Sequence, residues 1–98
     1  MKLSVLMPVF NEVNTLEEAI GRVRDVRLPK EIIVIDDGST DGSRELLERL
    51  GAETKPGNDP LNELKIFFQP LNQGKGAAIR SGIQQVTGDV VIIQDADL

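Results

Sequence analysis

Two kinds of hydrophobic pattern alternate along this chain. Four short stretches are almost continuously apolar or β-branched, which is typical of strands that are buried on both faces of a parallel sheet. The predicted strands are Leu3–Phe10, Glu31–Asp37, Leu64–Gln69 and Asp89–Gln94. Between them, apolar residues recur at helical spacing. The pattern therefore predicts the order β-α-β-α-β-α-β with right-handed crossovers.

Three helices are predicted from the residues between the strands. Their apolar positions are Leu16, Ala19, Ile20, Val23 and Val26, then Leu46, Leu47 and Leu50, and finally Ile79, Ile83 and Val86. Asn14 with Glu17 three residues later has the pattern of a capping box at the start of the first helix. The second helix is expected to begin with a cap within Ser39–Asp41 and to end at Gly51, and Gly88 is the expected stop of the third.

One stretch has the composition of a loop. Ala52–Glu63 is polar and contains two turn-forming pairs, Pro56-Gly57 and Asp59-Pro60. It joins a helix end to a strand start, so we expect a surface loop without chemistry, at the side of the sheet opposite to the usual ligand crevice. A chain of 98 residues is too short for a second core, so residues 1–98 are expected to form one unit.

Composition and charge narrow the classes of function. The net charge of −5 argues against binding to nucleic acid or to anionic lipid. The chain has no Cys and no His, so a bound metal would be held by oxygen ligands, which favours Mg²⁺ or Mn²⁺. The apolar run Val90–Ile93 is far too short to span a bilayer. We expect a cytoplasmic domain.

The candidate chemistry follows the four strands. Ligands of open α/β sheets bind beyond the carboxyl ends of the strands. Every one of these ends is polar here: Asn11-Glu12, Asp36–Thr40, Asn72–Gly76 and Asp95–Asp97. We therefore expect one site at this edge of the sheet, at which several carboxylates converge.

Each group also has a purely structural interpretation. Asp36–Thr40 is compatible with a turn and a helix cap, and Glu12 with a solvated acid in a first helical turn. Gly74–Gly76 fits a tight helix entry, and it matches neither the Walker motif nor the dinucleotide fingerprint. Asp95 and Asp97 would repel each other unless a cation or a donor compensates them, which favours a metal site over an acidic turn.

Taken together, the motifs resemble a known family. Pro8–Glu12, Ile35–Asp41, Asn72–Gly76 and Gln94–Leu98 resemble the N-terminal half of family 2 glycosyltransferases with the GT-A fold. Within that family, the similarity is closest to dolichyl- and polyprenyl-phosphate mannose and glucose synthases. The resemblance covers essentially the whole chain. It implies a three-layer, Rossmann-like α/β fold with parallel strands in the order 3-2-1-4.

The resemblance also implies roles for particular residues. A nucleoside-diphosphate sugar, UDP- or GDP-linked, would be bound by Pro8, Phe10, Glu12, Asp37, Lys75, Asp95, Ala96 and Asp97. Within this set, Asp37 would accept a hydrogen bond from the base, and Lys75 would face the phosphates. Asp95 and Asp97 would be the family's DxD pair, which binds Mg²⁺ or Mn²⁺ at the donor diphosphate. The sugar would pass with inversion to an acceptor, expected to be a polyprenyl or dolichyl phosphate at the cytoplasmic face of a membrane.

Family members continue beyond the DxD with the acceptor site and any catalytic base, so the chain is expected to be a truncated part. Two alternatives remain open. Val90–Asp97 is also similar to the strand and DxD of haloacid-dehalogenase phosphatases, and the fragment could bind nucleotides or self-associate without turnover. Asp89–Gln94 is expected to form an exposed sheet edge, through which the chain would form homo-oligomers.

Overall fold

A computed structural model describes residues 1–54 and 59–97. The elements follow the predicted order: β1 (Leu3–Val9), α1 (Leu16–Asp25), β2 (Lys30–Asp37), α2 (Ser43–Glu53), β3 (Asn62–Gln69), α3 (Lys75–Ile83) and β4 (Val90–Ile93). All strand pairs are parallel, and the sheet order is β3-β2-β1-β4. The predicted α/β class and strand order are confirmed.

Two apolar clusters lie on opposite faces of the sheet and make three layers. The larger cluster joins β1 and β2 to α1 and α2 and contains Met7, Val9, Leu16, Ala19, Ile20, Ile32, Val34, Leu47, Leu50 and Ala96. The smaller cluster joins the same strands to α3 and contains Leu6, Ile33, Ile35 and Ala78. A Cβ added at Gly82 would lie 3.1 Å from the Leu6 side chain, so glycine lets α3 pack closely on the sheet.

The start of α1 differs from the prediction. Thr15, and not Asn14, is the residue before the first helical turn, and within the described ranges no side chain caps the helix there. The prediction of a capping box formed by Asn14 and Glu17 is therefore wrong. The Thr15 hydroxyl instead donates to the carbonyl oxygen of Ala96 at 2.8 Å. A long-range contact with the turn after β4 has replaced the local cap.

The ends of the other two helices also differ. α2 begins at Ser43, after Gly42 with φ of 105°, and the Asp41 carboxylate accepts a hydrogen bond from the Ser43 amide at 2.9 Å. Gly51 does not end α2: a Cβ there would lie 3.3 Å from Ile66, so this glycine allows the helix to approach β3. α3 ends at Ile83, which leaves Val86 outside the helix and makes Gly88 unnecessary as a stop.

The predicted loop Ala52–Glu63 is shorter in the structure, because α2 continues to Glu53 and β3 already begins at Asn62. The predicted turn at Pro56-Gly57 lies outside the described residues. Among the residues that the structure describes, no helix has the length and apolar character that crossing a membrane requires.

β2 and β4 have opposite surroundings. Every residue of β2 is buried, whereas the four side chains of β4 are between 40% and 50% exposed. Within the described part of the chain, β4 pairs with β1 alone and lies at the edge of the sheet. The expected exposed edge is confirmed, although the strand is Val90–Ile93 and does not include Asp89 and Gln94, which were predicted to belong to it.

A buried carboxylate at the amino end of β2 was not predicted. Glu31 is fully buried, and its oxygens accept hydrogen bonds from the Lys65 ammonium at 2.7 Å, the Ser4 hydroxyl at 2.6 Å and the backbone and hydroxyl of Thr87. Burial alone would raise the pKa of Glu31, but these donors outweigh it and hold the pKa well below its ordinary value. This cluster connects β1, β2, β3 and the segment before β4.

Candidate functional site

A cleft of about 490 Å³ opens at the carboxyl ends of the strands. The structure brings to this cleft the eight residues to which the resemblance assigns binding of the donor: Pro8, Phe10, Glu12, Asp37, Lys75, Asp95, Ala96 and Asp97. Its lining also includes Val9, Asn72, Gly74 and Ala78, which the sequence interpretation did not select. The roles of these residues stay predictions, but the fold does place them together around one cleft.

The loops after β1 and β2 are connected to each other by hydrogen bonds. The Asn11 amide donates to the Ser39 hydroxyl at 2.9 Å, and the Asn11 side-chain oxygen accepts from the Thr40 amide at 2.8 Å. Asn11 has φ of 53°, a left-handed conformation that asparagine tolerates better than most residues. The Glu12 amide donates to the Ser43 hydroxyl at 3.0 Å, which fixes the backbone of Glu12 beside the cleft.

The two adjacent acids at the end of β2 have separate environments. Asp36 is fully buried and does not line the cleft; its Oδ2 accepts from the Ser39 amide at 3.2 Å, whereas its Oδ1 has no hydrogen-bond partner among the residues that the structure describes. Asp37 is also buried, but it belongs to the cleft wall. Only Asp37 is therefore in a position to meet a ligand.

Asp37 organises the loop between β3 and α3. Its carboxylate accepts four hydrogen bonds, from the side-chain amides of Gln69 (2.8 Å) and Asn72 (3.0 Å) and from the backbone amides of Gln73 (2.9 Å) and Gly74 (2.8 Å). The four donors occupy the lone pairs of both oxygens. A base that binds Asp37 would have to displace or share one of the movable side-chain amides.

Gly38 explains how the two loops come so close. It has φ of 75°, and a Cβ at this position would lie 2.6 Å from the Asn72 amide nitrogen. Gly74, with φ of 98°, then precedes the first residue of α3. These two glycines allow the loop to wrap around Asp37 and to place the start of α3 at the cleft.

The turn after β4 presents two carboxylates and buries the residue between them. Ala96 is 2% exposed and belongs to the larger core cluster, and its carbonyl oxygen accepts the hydrogen bond from Thr15. The flanking acids, Asp95 and Asp97, are exposed at the cleft. The core and α1 thus hold the middle of the turn, so both acids lie at a fixed place.

Lys75 provides a counter-ion for these acids. Its Nζ lies 2.7 Å from Asp95 Oδ1. The hydrogen bond to Asp95, together with the negative charges of Asp95 and Asp97, raises the pKa of Lys75. Lys75 is therefore a cation at neutral pH, and it lies where the sequence interpretation expects a cation to bind.

The donor set fits an oxygen-bound divalent ion that shares its coordination with a ligand. Within residues 1–54 and 59–97, no cluster of three or more His, Cys, Asp or Glu side chains could hold a metal by itself. Two carboxylates would leave most of a six-coordinate sphere to phosphate oxygens and water, as Mg²⁺ commonly prefers. The acidic pair fits a metal that binds together with a phosphate ligand.

Sequence reasoning missed several residues of this site. Asn72 and Gly74 belong to a motif that was recognised at a strand end, but their hydrogen bonds to Asp37 depend on the loop conformation. Thr15 was predicted neither as a helix cap nor as a residue of the site, although its hydroxyl holds the turn through a hydrogen bond to Ala96. No local signal marks this contact, because its two residues are 81 positions apart.

The fold and the site define a broad class, that of parallel α/β domains with a ligand cleft at the carboxyl ends of the strands. Comparison with known proteins makes the class specific. Residues 4–98 match the model of the family described as glycosyl transferase family 2. The chain belongs to this family, as the motifs had predicted.

Curated relatives share substantial sequence identity with the chain. An undecaprenyl-phosphate 4-deoxy-4-formamido-L-arabinose transferase of Pectobacterium carotovorum is 41% identical over 98% of this chain. The protein of the same name from Yersinia enterocolitica is 39% identical over 99% of the chain. In both cases the chain spans 29% of the length of the relative.

Solved structures are similar in fold. The mannosyltransferase PcManGT from Pyrobaculum calidifontis, in complex with GDP-Man and Mn²⁺, is similar over 97% of this chain and 27% of its own, with a TM-score of 0.83 and 28% identity. S. aureus TarS in complex with UDP is similar over 99% of this chain and 28% of its own, with a TM-score of 0.81 and 26% identity. The expected GT-A architecture is confirmed by these similarities.

Proposed function

We propose that the cleft binds a nucleoside-diphosphate sugar together with Mg²⁺ or Mn²⁺, and that residues 1–98 form the donor-binding half of a GT-A glycosyltransferase domain. The observation that carries the proposal is the convergence of Asp37, Lys75 and the paired acids Asp95 and Asp97 on one cleft. The similar mannosyltransferase in complex with GDP-Man and Mn²⁺, and TarS in complex with UDP, support this class of ligand.

Each part of the donor has a matching group in the cleft. Pro8, Phe10 and Glu12 would line the nucleoside pocket, and Phe10 offers a half-exposed aromatic ring to a base. Asp37 would accept a hydrogen bond from a base N–H once a side-chain amide has moved. The Ala96 backbone would lie against the nucleotide.

Asp95 and Asp97 would hold the metal, which supplies Lewis-acid neutralisation of the charge that develops on the departing diphosphate. Lys75 and the start of α3 would face the phosphates.

The proposed reaction is transfer of the sugar, with inversion, to a polyprenyl phosphate at the cytoplasmic face of a membrane. An oxygen of the acceptor phosphate attacks the anomeric carbon, and the bond from that carbon to the diphosphate breaks. A phosphomonoester with a second pKa of about 6 is mostly ionised at pH 7, so this acceptor needs no general base. The names of the undecaprenyl-phosphate transferases among the relatives support this acceptor class. No residue of the chain is assigned to acceptor binding.

Calorimetric titration with UDP- and GDP-sugars, with and without Mn²⁺, tests the donor site. We expect Mn²⁺-dependent binding by the wild-type chain and a loss of about tenfold or more in Asp97→Asn. Asp25→Asn is the matched control, since Asp25 is an exposed acid outside the cleft and the substitution changes the charge equally. Metal-dependent binding that survives Asp97→Asn unchanged would contradict the proposal.

Two measurements address the alternatives to a transferase. Hydrolysis of a generic phosphomonoester would favour the phosphatase interpretation, which the family assignment argues against. Nucleotide binding without sugar transfer, in a protein that also carries the acceptor region, would favour a non-catalytic nucleotide-binding role.

A further inference from the structure

The ion pair between Lys75 and Asp95 is in an unusual place for a lysine. Lys75 is the first residue of α3, where the positive end of the helix dipole disfavours a cation. The side chains of Lys75 and Asp95 are both well exposed, at 60% and 59%, so the pair contributes little to folding. Helix stability therefore does not explain a lysine at this position, and a role in the cleft remains.

We propose that Lys75 is an exchangeable counter-ion: a divalent cation displaces its ammonium from Asp95, and the released ammonium binds the diphosphate that enters with the metal. This inference rests on the proposed donor site and adds a coupling between its two ligands. Metal and nucleoside diphosphate then bind cooperatively, because each removes the charge imbalance that the other creates.

The balance of charge gives the physical reason. In the structure, one ammonium faces two carboxylates. A divalent ion alone would separate Lys75 from Asp95 and leave two cations close together. A diphosphate alone would approach two carboxylates that only one ammonium offsets. When the metal binds together with a nucleoside-diphosphate sugar, whose diphosphate carries two negative charges, the charges of the two ligands cancel and the site returns to its resting balance.

The coupling has a distinct signature, since Lys75 opposes metal binding and favours nucleotide binding. In Lys75→Gln, we expect Mn²⁺ alone to bind about 2- to 5-fold more tightly, the range that corresponds to an exposed ion pair. We expect UDP and GDP, each tested at saturating Mn²⁺, to bind at least about 5-fold more weakly. A residue with a merely structural role would not move the two affinities in opposite directions.

The signal of free Mn²⁺ in electron paramagnetic resonance measures the metal affinity of the chain, and calorimetry measures the affinity for UDP and GDP. Arg22→Gln is the matched control, because Arg22 forms a similarly exposed pair with Glu18 at 3.0 Å and its substitution changes the charge equally. We expect Arg22→Gln to change neither affinity by more than about 1.5-fold, and Lys75→Arg to keep the wild-type behaviour.

Each outcome decides the question. Opposite shifts in Lys75→Gln, absent in Arg22→Gln and Lys75→Arg, support the exchange. If the wild-type chain binds Mn²⁺ and nucleotide but Lys75→Gln shifts both affinities in one direction or neither, the exchange is wrong and the donor site stands. If Lys75→Arg behaves like Lys75→Gln, charge is not the cause and the exchange is wrong. If the wild-type chain shows no Mn²⁺-dependent nucleotide binding, the donor site itself fails, and the exchange with it.

Discussion

At the scale of single residues, Asp37 combines a place in the cleft with a structural task. Its two oxygens accept four hydrogen bonds, one from Gln69 at the end of β3 and three from the loop between β3 and α3, including the backbone amides of Gln73 and Gly74. A role in base recognition and a role in loop structure are therefore not separable by an alanine substitution. A substitution that keeps the shape and changes the hydrogen-bonding pattern is more informative.

Asp37→Asn should destabilise the fold as well as the site. The asparagine amide would turn an NH₂ group towards donors that now meet an oxygen, leaving buried N–H groups without acceptors. We expect the free energy of unfolding, measured by urea denaturation, to fall by about 1–3 kcal/mol. Asp25→Asn serves as the exposed control. A variant as stable as the wild type that has lost nucleotide binding would show that Asp37 acts on the ligand alone.

Glu31 predicts how stability depends on pH. Its pKa in the folded chain is held below the ordinary value of 4.5 by Lys65, Ser4 and Thr87. A group with a depressed folded pKa stabilises the fold above its unfolded pKa, and this contribution is lost as the pH falls towards the folded pKa. The wild-type chain should therefore lose stability progressively below about pH 4.5.

Glu31→Gln isolates this contribution. At pH 7 we expect the substitution to cost about 3 kcal/mol, because it leaves the ammonium of the partly buried Lys65 without its charge partner. Below pH 4.5 the difference from the wild type should shrink. Urea denaturation between pH 3 and pH 7 measures both effects, and parallel pH profiles for the two proteins would contradict the assignment.

At the scale of elements, the N-terminus of α1 and the turn after β4 form one unit. Thr15→Val removes the hydroxyl that donates to Ala96 and keeps a similar volume, so the turn that carries Asp95 and Asp97 loses its anchor. We expect Mn²⁺-dependent nucleotide affinity to fall about 3- to 10-fold, the equivalent of one hydrogen bond. Calorimetry on Thr15→Val measures it.

Thr15→Ser retains the hydroxyl and should bind nearly as well as the wild type. Equal losses in the valine and serine variants would show that the methyl group, and not the hydrogen bond, matters at this position.

The errors of prediction also lie at this scale. Strand identity and order follow from apolar runs and from the resemblance, and both are confirmed. Helix ends are less predictable. Gly51 was predicted to end α2, but the glycine instead allows the helix to pack closely against Ile66. The eight candidate residues converge because strand ends share one edge of a parallel sheet. The contacts of Glu31 with Thr87, and of Thr15 with Ala96, join distant positions and leave no local pattern.

At the scale of the whole molecule, the surface beside β4 stands out. The strand exposes Val90, Val91, Ile92 and Ile93. Next to it, a groove of about 360 Å³ between β1, β4 and α1 is lined mainly by apolar residues, among them Val5, Val23 and Ile92. In the described part of the chain, no Lys or Pro lies within β4 to discourage pairing with another strand.

We therefore expect this 98-residue chain, expressed by itself, to form dimers or larger assemblies through β4. An unpaired, β-branched strand is a template for a second copy of the same strand. Ile92→Lys should shift the population towards monomer. Pairing of β4 with a second copy would remove the charged ammonium from water, which opposes the pairing. Ile83→Lys is the matched control, as Ile83 is an exposed isoleucine at the end of α3. Light scattering over a range of concentrations measures the mass, and a wild-type chain that stays monomeric at high concentration would contradict the prediction.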